Sequence, residues 1–139
     1  MFNSLLRWLL SLCLITAVML LAACGSQSNP PTIAVTFTSG FVPPTEMTVS
    51  QACGVAATVT NDNQNQGVKW TAACSSADCG AFTPTAKSAS AVPITYTSPA
   101  VAPSGGTVTL TATSVTDSTK SISSPPITIT PTAPTCVGP

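Results

Sequence analysis

An all-β fold is what the sequence predicts: a sandwich of about seven strands, behind a cleaved signal peptide and a short linker. Three observations predict it. Beyond residue 31, apolar residues recur with period two in short runs, as in Val108, Leu110 and Ala112. Turn formers punctuate those runs at close spacing: Ser39-Gly40, Pro43-Pro44, Ser98-Pro99, Ser104-Gly105-Gly106 and Pro125-Pro126. Thr, Ser, Ala, Val and Pro dominate the composition, and no helical period of convincing length follows the leader.

Residues 1–23 have the three parts of a secretory signal. A short n-region ends in the single charge of Arg7, and an apolar run follows, broken only by Ser11 and Thr16. A spanning helix needs ~20 apolar residues. This run is shorter, and Gly25, Ser26, Gln27, Ser28, Asn29, Pro30 and Pro31 come after it with no basic stop-transfer cluster. It therefore reads as a signal and not as an anchor helix. Its last residues, Leu21-Ala22-Ala23-Cys24, resemble the lipobox of bacterial lipoprotein signal peptides at every position. The resemblance implies cleavage before Cys24, a diacylglycerol on the Cys24 thiol and acylation of the new amino group. One acyl chain binds a bilayer only marginally, whereas two or three hold it firmly. Gly25 stands where an inner-membrane retention signal places Asp, which implies the outer membrane or cell surface. Residues 24–31 then form the lipidated Cys and a tether, flexible at first and stiffened by Pro30-Pro31.

The domain is expected over residues 32–130. Ile33, Val35 and Phe37 alternate with polar neighbours, and Met47 and Val49 resume one face after Pro43-Pro44. Cys53, Val55, Ala57 and Val59 alternate with Gly54, Ala56, Thr58 and Thr60 and predict one inward-facing set. Residues 61–67 form a polar loop. Val68 and Trp70 point inward in the next strand, with Lys69 and Thr71 opposite, and residues 74–80 form a second loop. Ala81-Phe82 suggests a short strand before Pro84. Val92, Ile94 and Tyr96 alternate next; then come Val108, Leu110 and Ala112, a turn at Asp117-Ser118, Ile122, and finally Ile127 and Ile129. Residues 131–139 are a Pro-rich tail.

The strand count and the Trp in the third main strand fit an immunoglobulin-like sandwich. Longer words carry a closer likeness: Ala57-Thr58-Val59-Thr60-Asn61-Asp62, Gly67-Val68-Lys69-Trp70, Cys74-Ser75-Ser76-Ala77-Asp78-Cys79-Gly80, Tyr96-Thr97-Ser98-Pro99-Ala100, and Pro103-Ser104-Gly105-Gly106-Thr107-Val108-Thr109-Leu110. In this order they resemble the bacterial Ig-like domains, close to the group 2 type. These domains recur in secreted and surface proteins, often in tandem, whereas a single copy is present here.

Of the 6 cysteines, Cys13 leaves with the signal and Cys24 is the lipid site. Cys53, Cys74, Cys79 and Cys136 remain, an even number that in an exported chain reads as disulfides with three pairings open. Cys74 and Cys79 flank a short loop ending in Gly80 and are expected to pair. Cys53 would then pair with Cys136, because in an Ig sandwich the second strand begins at the end where the last strand finishes. A zinc site is not expected, since the chain has no His and the cysteines are not two close pairs.

No catalytic constellation is present. Without His, neither a Ser-His-Asp nor a Cys-His arrangement can be built. Glu46, Asp62, Asp78 and Asp117 stand singly. Asn61, Asn63 and Asn65 alternate as the ligands of a calcium loop do, but the sixth and twelfth positions of an EF-hand fall on Gln66 and Ala72. The inward phase of Trp70 argues for core and against a sugar platform. Beyond Cys24, three lysines (Lys69, Lys87, Lys120) face the four carboxylates, a net charge of −1 with no basic patch for nucleic acid. The expectation is a monomeric, non-enzymatic protein without metal or cofactor, held on the membrane through Cys24. It would act as a structural or adhesion module of the cell envelope. The alternative is a surface module whose loops recognise a carbohydrate or a protein.

Overall fold

In the computed structural model the described residues are 30–131. The signal, Cys24, most of the tether, and the tail from residue 132 with Cys136 lie outside them. Eleven strands and no helix are found among the described residues: β1 (Ala34–Phe37), β2 (Glu46–Thr48), β3 (Ala52–Val55), β4 (Ala57–Thr60), β5 (Val68–Cys74), β6 (Ala81–Thr83), β7 (Lys87–Ser88), β8 (Ile94–Thr97), β9 (Thr107–Ser114), β10 (Ser121–Ser123) and β11 (Ile127–Thr130). The largest sheet runs β2-β11-β9-β5-β7, with β10 also on β9; β3-β8-β6 and β1-β4 form two smaller sheets. Side chains from all three meet in one core that includes Val35, Met47, Val55, Val59, Trp70, Tyr96, Leu110 and Ile127. The arrangement is sandwich-like.

β9 is the spine. Val108, Leu110, Ala112 and Ser114 point inward, and Thr107, Thr109, Thr111 and Thr113 point outward, the alternation of a strand with one wet face. β5 lies antiparallel beside it over seven pairs, from Val68 with Ser114 to Cys74 with Val108. On its other side β9 pairs first with β10 and then with β11. The interruption between them is chemical. Pro125 and Pro126 have no N–H to give to a ladder. At Ser124 the side chain takes over: its Oγ accepts from the Leu110 N–H at 3.0 Å, and its own N–H donates to the Leu110 carbonyl at 2.8 Å. The Leu110 amide, deep in the core, is thus satisfied despite the prolines.

Two expectations are corrected. The predicted strand over residues 53–60 is split at Ala56, which is fully buried instead of facing outward. Its N–H donates to the Phe41 carbonyl and its carbonyl accepts from the Thr38 N–H, so the strand is interrupted there and changes partner. The first half, β3, pairs with β8, and the second half, β4, pairs with β1. A local irregularity of this kind re-aims a strand. Beside it, Gly54 leaves room for the Phe41 ring, which lies 3.4 Å from where a Cβ would stand. The second correction is Val92, expected inward but 50% exposed. Ala91 has a positive φ of 61° and the Val92 N–H bonds back to Ala89, so a turn occupies these residues and the strand begins only at Ile94.

One strand was not predicted. β7 has two residues and no apolar side chain, yet Ser88 is buried and its Oγ accepts a hydrogen bond from the Trp70 indole at 3.2 Å. A buried indole N–H needs such a partner, and Phe37 and Phe82 complete the contacts at ring distances of 6.3 and 5.9 Å. Trp70, 1% exposed, is core.

Candidate functional site

The two loops singled out in the sequence flank β5, one before it and one after, so they lie at opposite ends of the domain. Six residue steps separate Val68 from Cys74, a rise of ~20 Å along a strand. A small ligand cannot touch both.

Loop 61–67 sits where the chain enters. Ala34 pairs with Thr60, and the Asn61 amide donates to the Thr32 carbonyl at 2.8 Å. Asn61 and Asn65 adopt positive φ, which Asn tolerates. Asp62 holds the loop together. Its carboxylate accepts from the Thr116 hydroxyl at 2.6 Å, the Gly67 N–H at 3.1 Å and the Gln64 N–H at 3.2 Å. The Thr116 bond, followed by the backbone donors, holds this carboxyl below the usual carboxylate range. Gly67 closes the loop at φ 70°, where a Cβ would run into the Ser88 carbonyl. Among the described residues no three His, Cys, Asp or Glu side chains gather as metal ligands would.

Loop 74–79 sits at the other end. Cys74 and Cys79 are joined by a disulfide, with Cα atoms 5.5 Å apart. Further hydrogen bonds tie the loop. The Asp78 carboxylate accepts from the Gly80 N–H at 2.9 Å. The Tyr96 hydroxyl donates to the Cys79 carbonyl at 2.6 Å. Ser75 Oγ accepts from the Gly105 N–H at 2.7 Å, and Ser76 Oγ accepts from the Ser104 N–H at 3.2 Å. Burial, then the nearby Asp78 charge, pushes the Tyr96 phenol up to about 12. Gly80, at φ 87°, has no space for a side chain: a Cβ would meet the Thr97 carbonyl and the Tyr96 hydroxyl. What remains exposed is a small polar knob of Ser75, Ser76, Ala77, Asp78, Ser104 and Gly105. Its link to residues 104–105 is tertiary and left no signal in the local sequence beyond the turn residues themselves.

Cys53 is buried on β3 opposite Tyr96; Cys136, its expected partner, lies outside the described residues, as does Cys24. Sequence reading also missed one juxtaposition. Lys69 on β5 and Lys87 on β7 stand directly opposite each other and both are exposed. No sequence pattern announces this, because β7 is too short to be recognised. Comparison with protein-family models, with curated proteins and with solved structures finds no match for this chain.

Proposed function

We propose that the chain is a lipid-anchored cell-envelope protein, at the outer membrane or cell surface. In this reading it carries one Ig-like domain on a short tether, with a structural or adhesive role and no catalysis. The observation that carries the anchor is Leu21-Ala22-Ala23-Cys24 at the end of a signal-like apolar run. The Ig-like assignment is supported by the way the N-terminal strands divide between layers. β1 pairs antiparallel with β4, whereas β2, after the crossing at residues 38–45, pairs parallel with β11. The buried Trp on β5 agrees with it.

The Cys53–Cys136 bridge belongs to the same reading. β11 ends with Thr130 opposite Thr48, and the Val49 N–H donates to the Thr130 carbonyl. The chain therefore leaves the last strand beside the residues that lead into Cys53. The six steps from Thr130 to Cys136 reach at most ~20 Å, ample for the return.

Mass spectrometry of the membrane-extracted protein tests the anchor. A diacylglyceryl thioether on Cys24, with residues 1–23 gone, is the expected result, and Cys24→Ala is expected to release the protein from the membrane fraction. An unmodified Cys24 on a membrane-free protein would overturn the proposal.

A further inference from the structure

The Lys69–Lys87 pair is unusual within this sheet. Like charges directly opposite across two strands are unfavourable, and the two ammonium groups stand on the outer face in antiparallel register. A lysine on an edge strand discourages edge-to-edge association, which accounts for Lys87 but not for the second lysine facing it from β5. Neither forms an ion pair among the described residues. The same row continues through Thr113 to Ser121, the residue after Lys120. All three lysines beyond the signal are thus at one end.

Two carboxylates, Asp62 and Asp117, share that end and keep their charge, so against the three lysines its net charge is +1. Asp62 accepts from Thr116, Gly67 and Gln64, and Asp117 accepts from Thr119 and faces Lys120. The remaining acids are remote from that end. Asp78 is in loop 74–79, and Glu46 stands beside Thr128, itself opposite Thr107 at the start of β9. The domain is therefore polarised, cationic at one end and acidic towards the other. The cationic end is where the chain enters, since Thr32 and Ala34 are bonded to Asn61 and Thr60. Cys24 precedes Thr32 by eight residues, a reach of at most ~27 Å.

We propose that Lys69 and Lys87, with Lys120 beside them, dock the entry end of the domain onto the phosphate headgroups of the bilayer that holds Cys24. The disulfide-closed loop 74–79 then faces away from the membrane and is the end a partner meets. This rests on the anchor reading, and it assigns the two loops different surroundings.

The native fluorescence provides the test. Trp70 is the sole tryptophan beyond the signal and is next to Lys69. The mature protein is placed in vesicles through its own lipid or, should Cys24 prove unacylated, through a maleimide lipid coupled to that thiol. Energy transfer from Trp70 to a dansyl headgroup is compared in phosphatidylcholine and in phosphatidylcholine mixed with phosphatidylglycerol. The docked-to-undocked ratio is expected to rise about thirty-fold in the anionic vesicles, the equivalent of ~1 kcal/mol per lysine for two lysines. Lys69→Gln/Lys87→Gln, checked for unchanged Trp70 emission, and added salt are each expected to abolish the rise. Replacing part of the chloride by inorganic phosphate at constant ionic strength is expected to change nothing, which separates a headgroup surface from a discrete phosphate site. Equal transfer in the two lipids, or a rise that survives the double substitution, overturns the proposal. Failure of the anchor reading registers separately, as an unmodified Cys24 in the mass spectrum.

Discussion

Leu110→Ala is the substitution whose cost follows most directly from the packing. Leu110 is fully buried at the centre of β9, with Ala72 opposite on β5 and Ser124 bonded to its backbone on the other side. Truncation removes about three methylene equivalents at ~0.8 kcal/mol each, so the transfer loss is ~2.4 kcal/mol. The neighbours that could refill the space, Ala72 and Ala112, are small and held in register, so a cavity remains and adds about 1 kcal/mol. A total of 3–4 kcal/mol is a large share of the ~5–15 kcal/mol that holds a domain of this size together. The melting temperature should drop by about 12 to 30 °C. Thr109→Ala, one residue away on the outward face, is the control and should stay within about 0.5 kcal/mol. Urea unfolding followed by Trp70 emission measures both. Equal losses at the two positions, or a Thr109 cost exceeding that of Leu110, would refute the assignment of faces on which the core rests.

The Cys74–Cys79 disulfide and the proposed Cys53–Cys136 bridge are expected to differ in value. Cys74→Ala/Cys79→Ala opens a short loop and should cost roughly 2 kcal/mol, whereas Cys53→Ala/Cys136→Ala opens a long one and should cost roughly 4.5 kcal/mol plus some packing at Cys53. Urea midpoints of the two double variants check this, and a larger loss from the short loop contradicts the proposed second bridge. Tyr96 is the only tyrosine, so tyrosinate absorbance reports it alone. Its folded pKa, raised to about 12, means the domain keeps this contribution below pH ~10 and loses it as pH rises towards 12. An ordinary phenol titration near 10 in the folded protein counts against the burial of Tyr96 beside Asp78. Asp62 and Asp117 are shifted the other way, so their contribution is present above pH ~4 and is lost as the pH falls through their lowered folded values.

The inward faces of β5, β9 and β11 were legible because each strand has one dry and one wet side, and period two then survives in the sequence. Val68, Trp70, Val108, Leu110, Ile127 and Ile129 are all buried as that phase requires. The phase fails at Ala56 because three consecutive residues, Val55, Ala56 and Ala57, are buried where the strand passes from β8 to β1, and that exchange is a tertiary event. It fails at Val92 because Ala91 turns the backbone before β8 begins. β7 escaped notice because two residues carry no period. The opposite placement of loops 61–67 and 74–79 was, by contrast, implicit in the order of elements, since a single strand joins them. The lysine pair was invisible for the same reason as β7: register between strands is set by packing and turns, and neither Lys69 nor Lys87 carries a local mark of its partner.

The central claim, a domain held to a membrane through Cys24, is tested most directly by the intact mass of the mature protein before and after reduction. The expected species is a chain starting at Cys24, heavier than its sequence by a diacylglyceryl group and an amide-linked acyl chain, that gains two hydrogens for each of two disulfides on reduction. A chain that retains residues 1–23, or one that begins at Cys24 with the thiol unmodified, contradicts it.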